Sequence, residues 1–268
     1  MNLKFAREIL VRFIKDEVAA AGYTNAVVGL SGGVDSGIVA ALAAQALGPK
    51  NVLAMMLPHK QSSPASLEDA RLLVEMLKVR HETFDITPMV DGFVAAAGKV
   101  DNVRLGNVMA RARMIVLYDR SAREKGLVLG TSNKTEILLG YGTQFGDLAS
   151  AINPIGDLYK TQIWMLAKEL GLPQRIIDKV PTADLWTGQT DEKELGFSYS
   201  NADKLLFAMV DERRTDAELK DAGFNVAFVQ RVRDLLRKNQ FKRRPPLIAK
   251  VSYRTVNVDF RYVRDWGV

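Results

Sequence analysis

The feature that most constrains the fold is a glycine-rich turn between two apolar segments. Residues 26–30 predict a short buried strand, residues 31–36 (Ser-Gly-Gly-Val-Asp-Ser) a turn, and residues 36–47 an alanine-rich helix. Free backbone N–H groups and the helix dipole converge at a helix N-terminus that follows such a turn. The turn is therefore a candidate phosphate site.

Strands and helices continue to alternate along the first two thirds of the chain. The apolar patterns predict further strands at 52–57, 82–86 and 127–130, with helices at 2–21, 66–79, 101–124, near 160–170 and at 224–239. This order is typical of an α/β protein with a parallel sheet. We expect a Rossmann-like sheet of five parallel strands with helices on both faces, followed by a helical C-terminal part.

The domain organisation that we expect is a single domain over residues 1–268. Its nucleotide-binding core covers about 22–180, and a polar, glycine-containing mobile loop covers about 183–197. A helical and basic C-terminal segment covers about 198–268. No signal peptide or membrane-spanning segment is expected from the sequence.

Charge and cysteine content limit the partners. The chain has 37 Lys+Arg, 31 Asp+Glu and a formal net charge of +6. Residues 231–268 hold eleven basic and three acidic residues, and thus carry +8 against −2 for the rest. This block could contact nucleic acid, a phosphate-rich small ligand or only solvent. The absence of cysteine excludes disulfides, thiol nucleophiles and cysteine-bound zinc, and predicts a cytoplasmic protein.

The turn differs from two common phosphate motifs. No lysine follows its glycines as in the P-loop, and the dinucleotide pattern G-x-G-x-x-G is not formed. Two hydroxyls and the Asp35 carboxylate are added to the backbone cradle instead. A carboxylate beside phosphates is best explained by a bridging Mg²⁺, because the like charges would otherwise repel.

Residues 31–36 resemble the S-G-G-x-D-S motif of the N-type ATP pyrophosphatases, which cleave ATP between its α and β phosphates. Within that superfamily the chain resembles the NAD synthetases, through matching segments at 129–136, 140–147, 153–162, 181–185, 191–196 and 242–246. The resemblance implies amidation of nicotinic acid adenine dinucleotide (deamido-NAD) to NAD⁺ with ATP and ammonia. The reaction would pass through a deamido-NAD adenylate and release AMP and pyrophosphate.

The resemblance also implies residue roles. Asp35 and Glu136 would hold Mg²⁺, and Asp35 and Lys160 would be catalytic. From the residues alone, Glu136 would be interpreted as an ordinary first-turn helix acid. Met56 or Leu57 would line the adenine site, and the helix at 101–124 would join two subunits with the dinucleotide across their interface. ATP would contact Gly29, Leu30, Ser31, Gly32, Gly33, Val34, Asp35, Ser36, Thr131, Lys160 and Thr182, and deamido-NAD would contact Arg111, Asp147 and Lys242.

Two departures from the family pattern lie near the nicotinate end, where Gln144 and Ala151 replace a Lys and an Asp. Glutamine-using relatives carry an amidase domain with a cysteine nucleophile. Only about 25 residues precede the first strand and no cysteine is present, so we expect free ammonia, or ammonia from a separate glutaminase, as the nitrogen source.

Two other functions stay open at this point. A tRNA-modifying ATP pyrophosphatase such as a lysidine synthetase would use the basic C-terminal block on RNA. The lysidine synthetase family lacks the segment that runs here from Thr131 to Gln162, so a nucleic-acid partner is not expected. A non-catalytic nucleotide-binding protein would not need the two carboxylates Asp35 and Glu136.

Overall fold

The computed structural model describes residues 1–186 and 188–256. Its sheet consists of the parallel strands β1 (Asn25–Gly29), β2 (Val52–Met56), β3 (Arg80–Thr83) and β4 (Gly126–Leu129), in the order β3-β2-β1-β4. β1 is central, and Val27 aligns with Leu53 of β2 and Val128 of β4. The carboxyl ends of all four strands therefore meet at one edge, where open α/β sheets bind ligands.

The expectation of five strands is wrong for the described residues. Where a fifth strand would lie beside β4, the chain makes a single parallel bridge between Leu129 and Ile152. Gly130 N–H donates to Ile152 O at 2.8 Å. Pro154 then has no N–H to give to a ladder, and the Asn153 side chain donates instead to Ser132 O at 2.8 Å. This return segment supports the sheet edge without becoming a strand.

Helices account for most of the remaining chain. The bounds are α1 Leu3–Ala20, α2 Val34–Leu47, α3 Pro64–Leu77, α4 Thr87–Ala97, α5 Asn102–Glu124, α6 Lys134–Leu139, α7 Lys160–Glu169, α8 Gln174–Ile177, α9 Asp191–Leu195, α10 Tyr199–Leu206, α11 Asp216–Asp221 and α12 Val226–Lys238. A π-helical turn covers Phe207–Asp211, and 3₁₀ turns cover Pro49–Asn51 and Gln240–Arg243. β3 begins two residues before the predicted 82–86 strand, and the chain leaves it at Phe84 towards α4.

Successive side chains along each strand point to opposite faces of the sheet. Val28 and Ala54 face a core shared with α1, α2, α3 and α7, while Val27 and Leu53 face α4 and α5. A third core joins α6, α10 and α12 around Tyr199. Helices on both faces were predicted, and both layers are present.

Parts of the predicted C-terminal segment and loop can be placed. The loop at 183–197 contains the short α9 (Asp191–Leu195), and its mobility stays a prediction. The basic block is described up to Val256; Arg261 and Arg264 lie outside the described residues, as does Thr187 of the loop. In the described part of the chain, no helix has the length and apolar character to cross a bilayer.

Candidate active site

The phosphate turn, residues 31–36, leads from β1 into α2 at the carboxyl edge of the sheet. Its shape is held by two serine hydroxyls. Ser36 Oγ donates to Gly33 O at 3.1 Å and accepts from Ser31 N–H at 3.2 Å, and the two hydroxyls lie 3.1 Å apart. Gly33 N–H donates to Ser31 Oγ at 3.2 Å. The backbone N–H groups at the start of α2 are thereby presented as an anion cradle.

Gly32 is required by the packing behind this turn. Its φ is +76°, in the left-handed region that favours glycine. A Cβ at this position would lie 2.2 Å from the backbone O of Ser66 and 3.0 Å from Cβ of Asp69, both on α3. The turn therefore rests directly on the first turns of α3, and only glycine allows this approach.

Three helix N-termini bring charged side chains to one point beside the turn. Asp35 lies in the first turn of α2, Glu136 in the first turn of α6, and Lys160 at the start of α7. Lys160 Nζ lies 2.6 Å from Asp35 Oδ2 and 3.5 Å from Glu136 Oε1. The lysine side chain is only 3% exposed and lies over the ring of Tyr199. The sequence predicted all three residues for the site, and the fold places them together.

Asn133 connects the two carboxylates and was missed at the sequence level. Its side chain caps α6 by accepting from Glu136 N–H at 3.0 Å, and Glu136 Oε2 accepts from Asn133 N–H at 3.2 Å. The same side chain donates Nδ2–H to Asp35 Oδ1 at 3.0 Å. The signal was present in the sequence, since Asn followed three residues later by Glu is typical of a capping box.

Burial and charge act in opposite directions on this cluster. Burial raises the pKa of Glu136, against the opposing effect of the Lys160 ammonium. Burial lowers the pKa of Lys160, but Asp35 and Glu136 outweigh it, so that the pKa of Lys160 is raised and the side chain stays protonated. The two carboxylates thus already surround one cation.

The donor set fits Mg²⁺. This ion prefers oxygen ligands and usually takes only one or two carboxylates together with substrate phosphates. Asp35 and Glu136 supply two carboxylates beside the phosphate turn, and the Lys160 ammonium between them marks a position where the protein accommodates positive charge. No cluster of three or more His, Cys, Asp or Glu side chains suited to a metal occurs among residues 1–186 and 188–256.

A second network comes from the loop at 183–197. Asp191 is 5% exposed and accepts hydrogen bonds from Tyr141 and Tyr199, each at 3.0 Å. Tyr141 also lies 2.5 Å from Glu194 Oε2. Burial raises the pKa of Asp191, and the Lys160 charge opposes this rise. Residues 191–196 were among the segments that resemble the family, but no role was predicted for them.

A cavity of about 550 Å³ joins these parts. That volume is in the range of small-molecule sites. One of Met56 and Leu57 was predicted for the adenine site, and both line the cavity. The other predicted site residues in its lining are Gly29, Leu30, Ser31, Gly33, Val34, Asp35, Ser36, Thr131, Glu136, Asp147, Lys160, Thr182 and Lys242. Gly32 packs against α3 and does not line the cavity, and Arg111 is exposed outside it.

The segment at 140–147 forms another part of the cavity wall. Lys242 Nζ donates to Gly140 O at 2.8 Å and Gly142 O at 2.9 Å, and burial lowers its pKa. Asp147 Oδ1 accepts from Thr143 N–H at 2.8 Å, and burial raises its pKa. Arg111 donates to the backbone O of Gln144 at 3.2 Å, so the contact does not depend on the side chain at 144.

Comparison with known proteins agrees with this arrangement. Residues 6–246 match the family model described as NAD synthase. The chain is 55% identical over 267 residues to the NH(3)-dependent NAD(+) synthetase of Trichlorobacter lovleyi, covering 100% of this chain and 98% of the relative. It is 53% identical over 266 residues to the protein of the same name from Chlorobium phaeobacteroides strain BS1, covering 99% and 96%.

A solved structure extends the likeness to the fold. The NH3-dependent NAD synthetase of Campylobacter jejuni, solved with a nitrate ion, superposes with a TM-score of 0.81 at 38% identity, covering 93% of this chain and 100% of that one. The predicted resemblance is confirmed by the family match over 6–246 and by full-length relatives above 50% identity. The chain belongs to the NAD synthase family.

Proposed function

We propose that this protein is an ammonia-dependent NAD⁺ synthetase, a ligase that amidates deamido-NAD at the expense of ATP. The observation that carries the proposal is the convergence of Asp35, Glu136 and Lys160 on the phosphate turn inside one cavity. The names of the relatives support the activity, which would be the last step of NAD⁺ biosynthesis. ATP is the co-substrate.

In the first step, a nicotinate carboxylate oxygen attacks the α-phosphorus of ATP and the bond to the β-phosphate oxygen breaks. Pyrophosphate leaves into the phosphate turn, where N–H groups of α2 and the Ser31 and Ser36 hydroxyls can bind it. Because the pKa of Lys160 is raised, its side chain stays protonated near neutral pH and can donate hydrogen bonds to phosphate oxygens. These fixed charges stabilise the negative charge that develops in the transition state.

Mg²⁺ would be held by Asp35 and Glu136, and when bound it neutralises phosphate charge. Asn133 fixes the positions of the two carboxylates relative to each other, because it donates to Asp35 and caps the helix that carries Glu136. Lys160 must then exchange at least part of its contact with Asp35 for a phosphate oxygen.

In the second step, ammonia attacks the activated carbonyl carbon, a proton is lost, and AMP leaves with the former carboxylate oxygen. The adenylate is prone to hydrolysis, so water has to be kept out. The loop at 183–197 contributes Leu185 and Trp186 to the cavity lining. It is held at the cavity by the hydrogen bond from Tyr141 to Asp191. We assign this loop the role of a lid.

Deamido-NAD would lie against the part of the cavity wall formed by residues 140–147, with Asp147 and Lys242 in the cavity and Arg111 outside it. Arg111 shares an exposed stripe of α5 with Ile115 and Tyr118, which are 54% and 40% exposed. A homodimer through α5 would cover this stripe and bring Arg111 against the partner's cavity. Light scattering of the wild type should give twice 29.7 kDa, and the mass of one chain would contradict the dimer.

The nitrogen source can be tested directly. Purified protein with ATP, Mg²⁺, deamido-NAD and ammonium should form NAD⁺, AMP and pyrophosphate in equal amounts, whereas glutamine in place of ammonium should give none. The absence of cysteine from the sequence supports this, because the chain has no thiol for glutamine hydrolysis. Equal rates with glutamine, or release of ADP and orthophosphate, would overturn the proposal.

A mononucleotide substrate is the competing possibility with a specific observation behind it. A protein described as NMN synthetase from Francisella tularensis superposes with a TM-score of 0.83 at 34% identity, covering 93% of this chain and 99% of that one. Nicotinate mononucleotide should therefore be assayed in parallel, and we expect the dinucleotide to be preferred. A cytoplasmic location stays a prediction.

A further inference from the structure

Lys179 is a cavity-lining cation to which neither the sequence nor the mechanism above gives a role. It lies between α8 and Thr182, on the segment that leads into the loop at 183–197. Its Nζ donates to Asp69 Oδ2 at 2.9 Å and to Ser66 Oγ at 3.1 Å, both on α3. It also lies 3.5 Å from the backbone O of Gly32 in the phosphate turn.

The position of this ammonium is defined by a buried carboxylate. The Asp69 side chain is 7% exposed and is shared between Lys179 and Arg175, whose Nε lies 2.6 Å from Asp69 Oδ1. Arg175 is 54% exposed and has Glu68 at 3.9 Å on the solvent side. One buried carboxylate therefore serves two cations, and the less exposed of the two, Lys179, faces the cavity.

The same residues of α3 also support the turn. The Ser66 backbone and Asp69 Cβ are the atoms that a side chain at Gly32 would meet. α3 thus fixes the phosphate turn with its backbone and Lys179 with its side chains, so the distance between the ammonium and the anion cradle is set by a single helix. An ammonium donates three hydrogen bonds in directions that can rotate, and phosphate oxygens are strong acceptors for it.

We propose that Lys179 is a further pyrophosphate-binding residue, and that Asp69 and Ser66 act as positioning residues which hold it beside the phosphate turn. It would contact the β- and γ-phosphates of ATP and then the released pyrophosphate. This inference rests on the proposed function for the identity of the ligand. It adds a residue on the segment leading into the lid, so that phosphate binding and the position of the loop at 183–197 become linked.

The test is the binding of inorganic pyrophosphate with Mg²⁺ to the full chain, measured by calorimetry, together with the KM for ATP and for deamido-NAD. Lys179→Met should raise the pyrophosphate Kd and the ATP KM about tenfold, the value of one charge-assisted hydrogen bond. The KM for deamido-NAD should change less than twofold. Lys179→Arg should retain most of the wild-type affinity for pyrophosphate. Lys179→Gln keeps a hydrogen-bond donor for Asp69 but should lose as much affinity for pyrophosphate as Lys179→Met.

Arg175→Met is the matched control, because it removes a cation from the same carboxylate without touching the cavity lining. Its pyrophosphate Kd should stay within twofold of the wild type. Equal losses in Arg175→Met and Lys179→Met, or unchanged binding in both Lys179→Met and Lys179→Gln, would overturn the inference. Wild-type protein that binds pyrophosphate in a Lys179-dependent way but forms no NAD⁺ would refute the proposed function alone. Normal NAD⁺ synthesis with no Lys179 dependence would refute this inference alone.

Discussion

Gly32→Ala should lower kcat/KM for ATP at least a hundredfold. The new Cβ would lie 2.2 Å from the backbone O of Ser66, and neither atom belongs to a flexible side chain that could move away. The phosphate turn must therefore shift away from α3. A displacement of about 1 Å at a reacting group can cost about a hundredfold in rate. The positive φ adds about 1 kcal/mol of strain for an alanine. Steady-state kinetics and pyrophosphate binding measure the effect.

Gly22→Ala is the control for the strain alone. Gly22 has nearly the same φ, +78°, but a Cβ there meets nothing within 4 Å. This variant should lose about 1 kcal/mol of unfolding free energy in urea and keep wild-type kinetics. If both variants kept full activity, the close packing of the turn on α3 would have no part in ATP binding.

Asp35→Asn and Glu136→Gln should each reduce kcat/KM by about a thousandfold, or about 4 kcal/mol of transition-state stabilisation. Both variants keep the shape of the side chain and remove a charge that we assign to Mg²⁺. Lys160 keeps one carboxylate in each, so the fold should survive. Circular dichroism and the Mg²⁺ dependence of the rate should show a folded protein with a raised Mg²⁺ requirement.

Asp91→Asn is a matched substitution at the surface. Asp91 pairs with Lys60 at 2.7 Å, and both side chains are about half exposed. Such pairs contribute about 0–1 kcal/mol, so activity and Mg²⁺ dependence should be unchanged. Near-normal turnover in Asp35→Asn or Glu136→Gln would remove that residue from the metal site.

Sequence reasoning was most successful where chemistry and local pattern coincide. The run from β1 through the turn to α2 carries its apolar strand, glycines and hydroxyls in consecutive residues, so fold and site were predicted together. Glu136 and Lys160 came from the family resemblance, because nothing local distinguishes a first-turn helix acid or a lysine at a helix start from an ordinary one. Their convergence depends on strand order, which only the fold provides.

Other features depend on contacts between distant segments. The cluster of Asp69, Arg175 and Lys179 joins α3 to a segment more than a hundred residues later, and no local pattern indicates it. The expectation of a fifth strand failed for a similar reason, since the segment that returns beside β4 makes one bridge at Ile152 before Asn153 and Pro154 turn away from the ladder. Asn133 could have been found from its capping-box spacing.

In the proposed first step, the nicotinate carboxylate attacks the α-phosphorus of ATP. Deamido-NAD labelled with ¹⁸O in that carboxylate allows this attack to be followed by mass spectrometry of the phosphorus-containing products after one turnover with ammonium. The mechanism predicts one ¹⁸O in AMP and none in pyrophosphate. Label in orthophosphate formed alongside ADP, or AMP without label, would contradict the adenylate pathway.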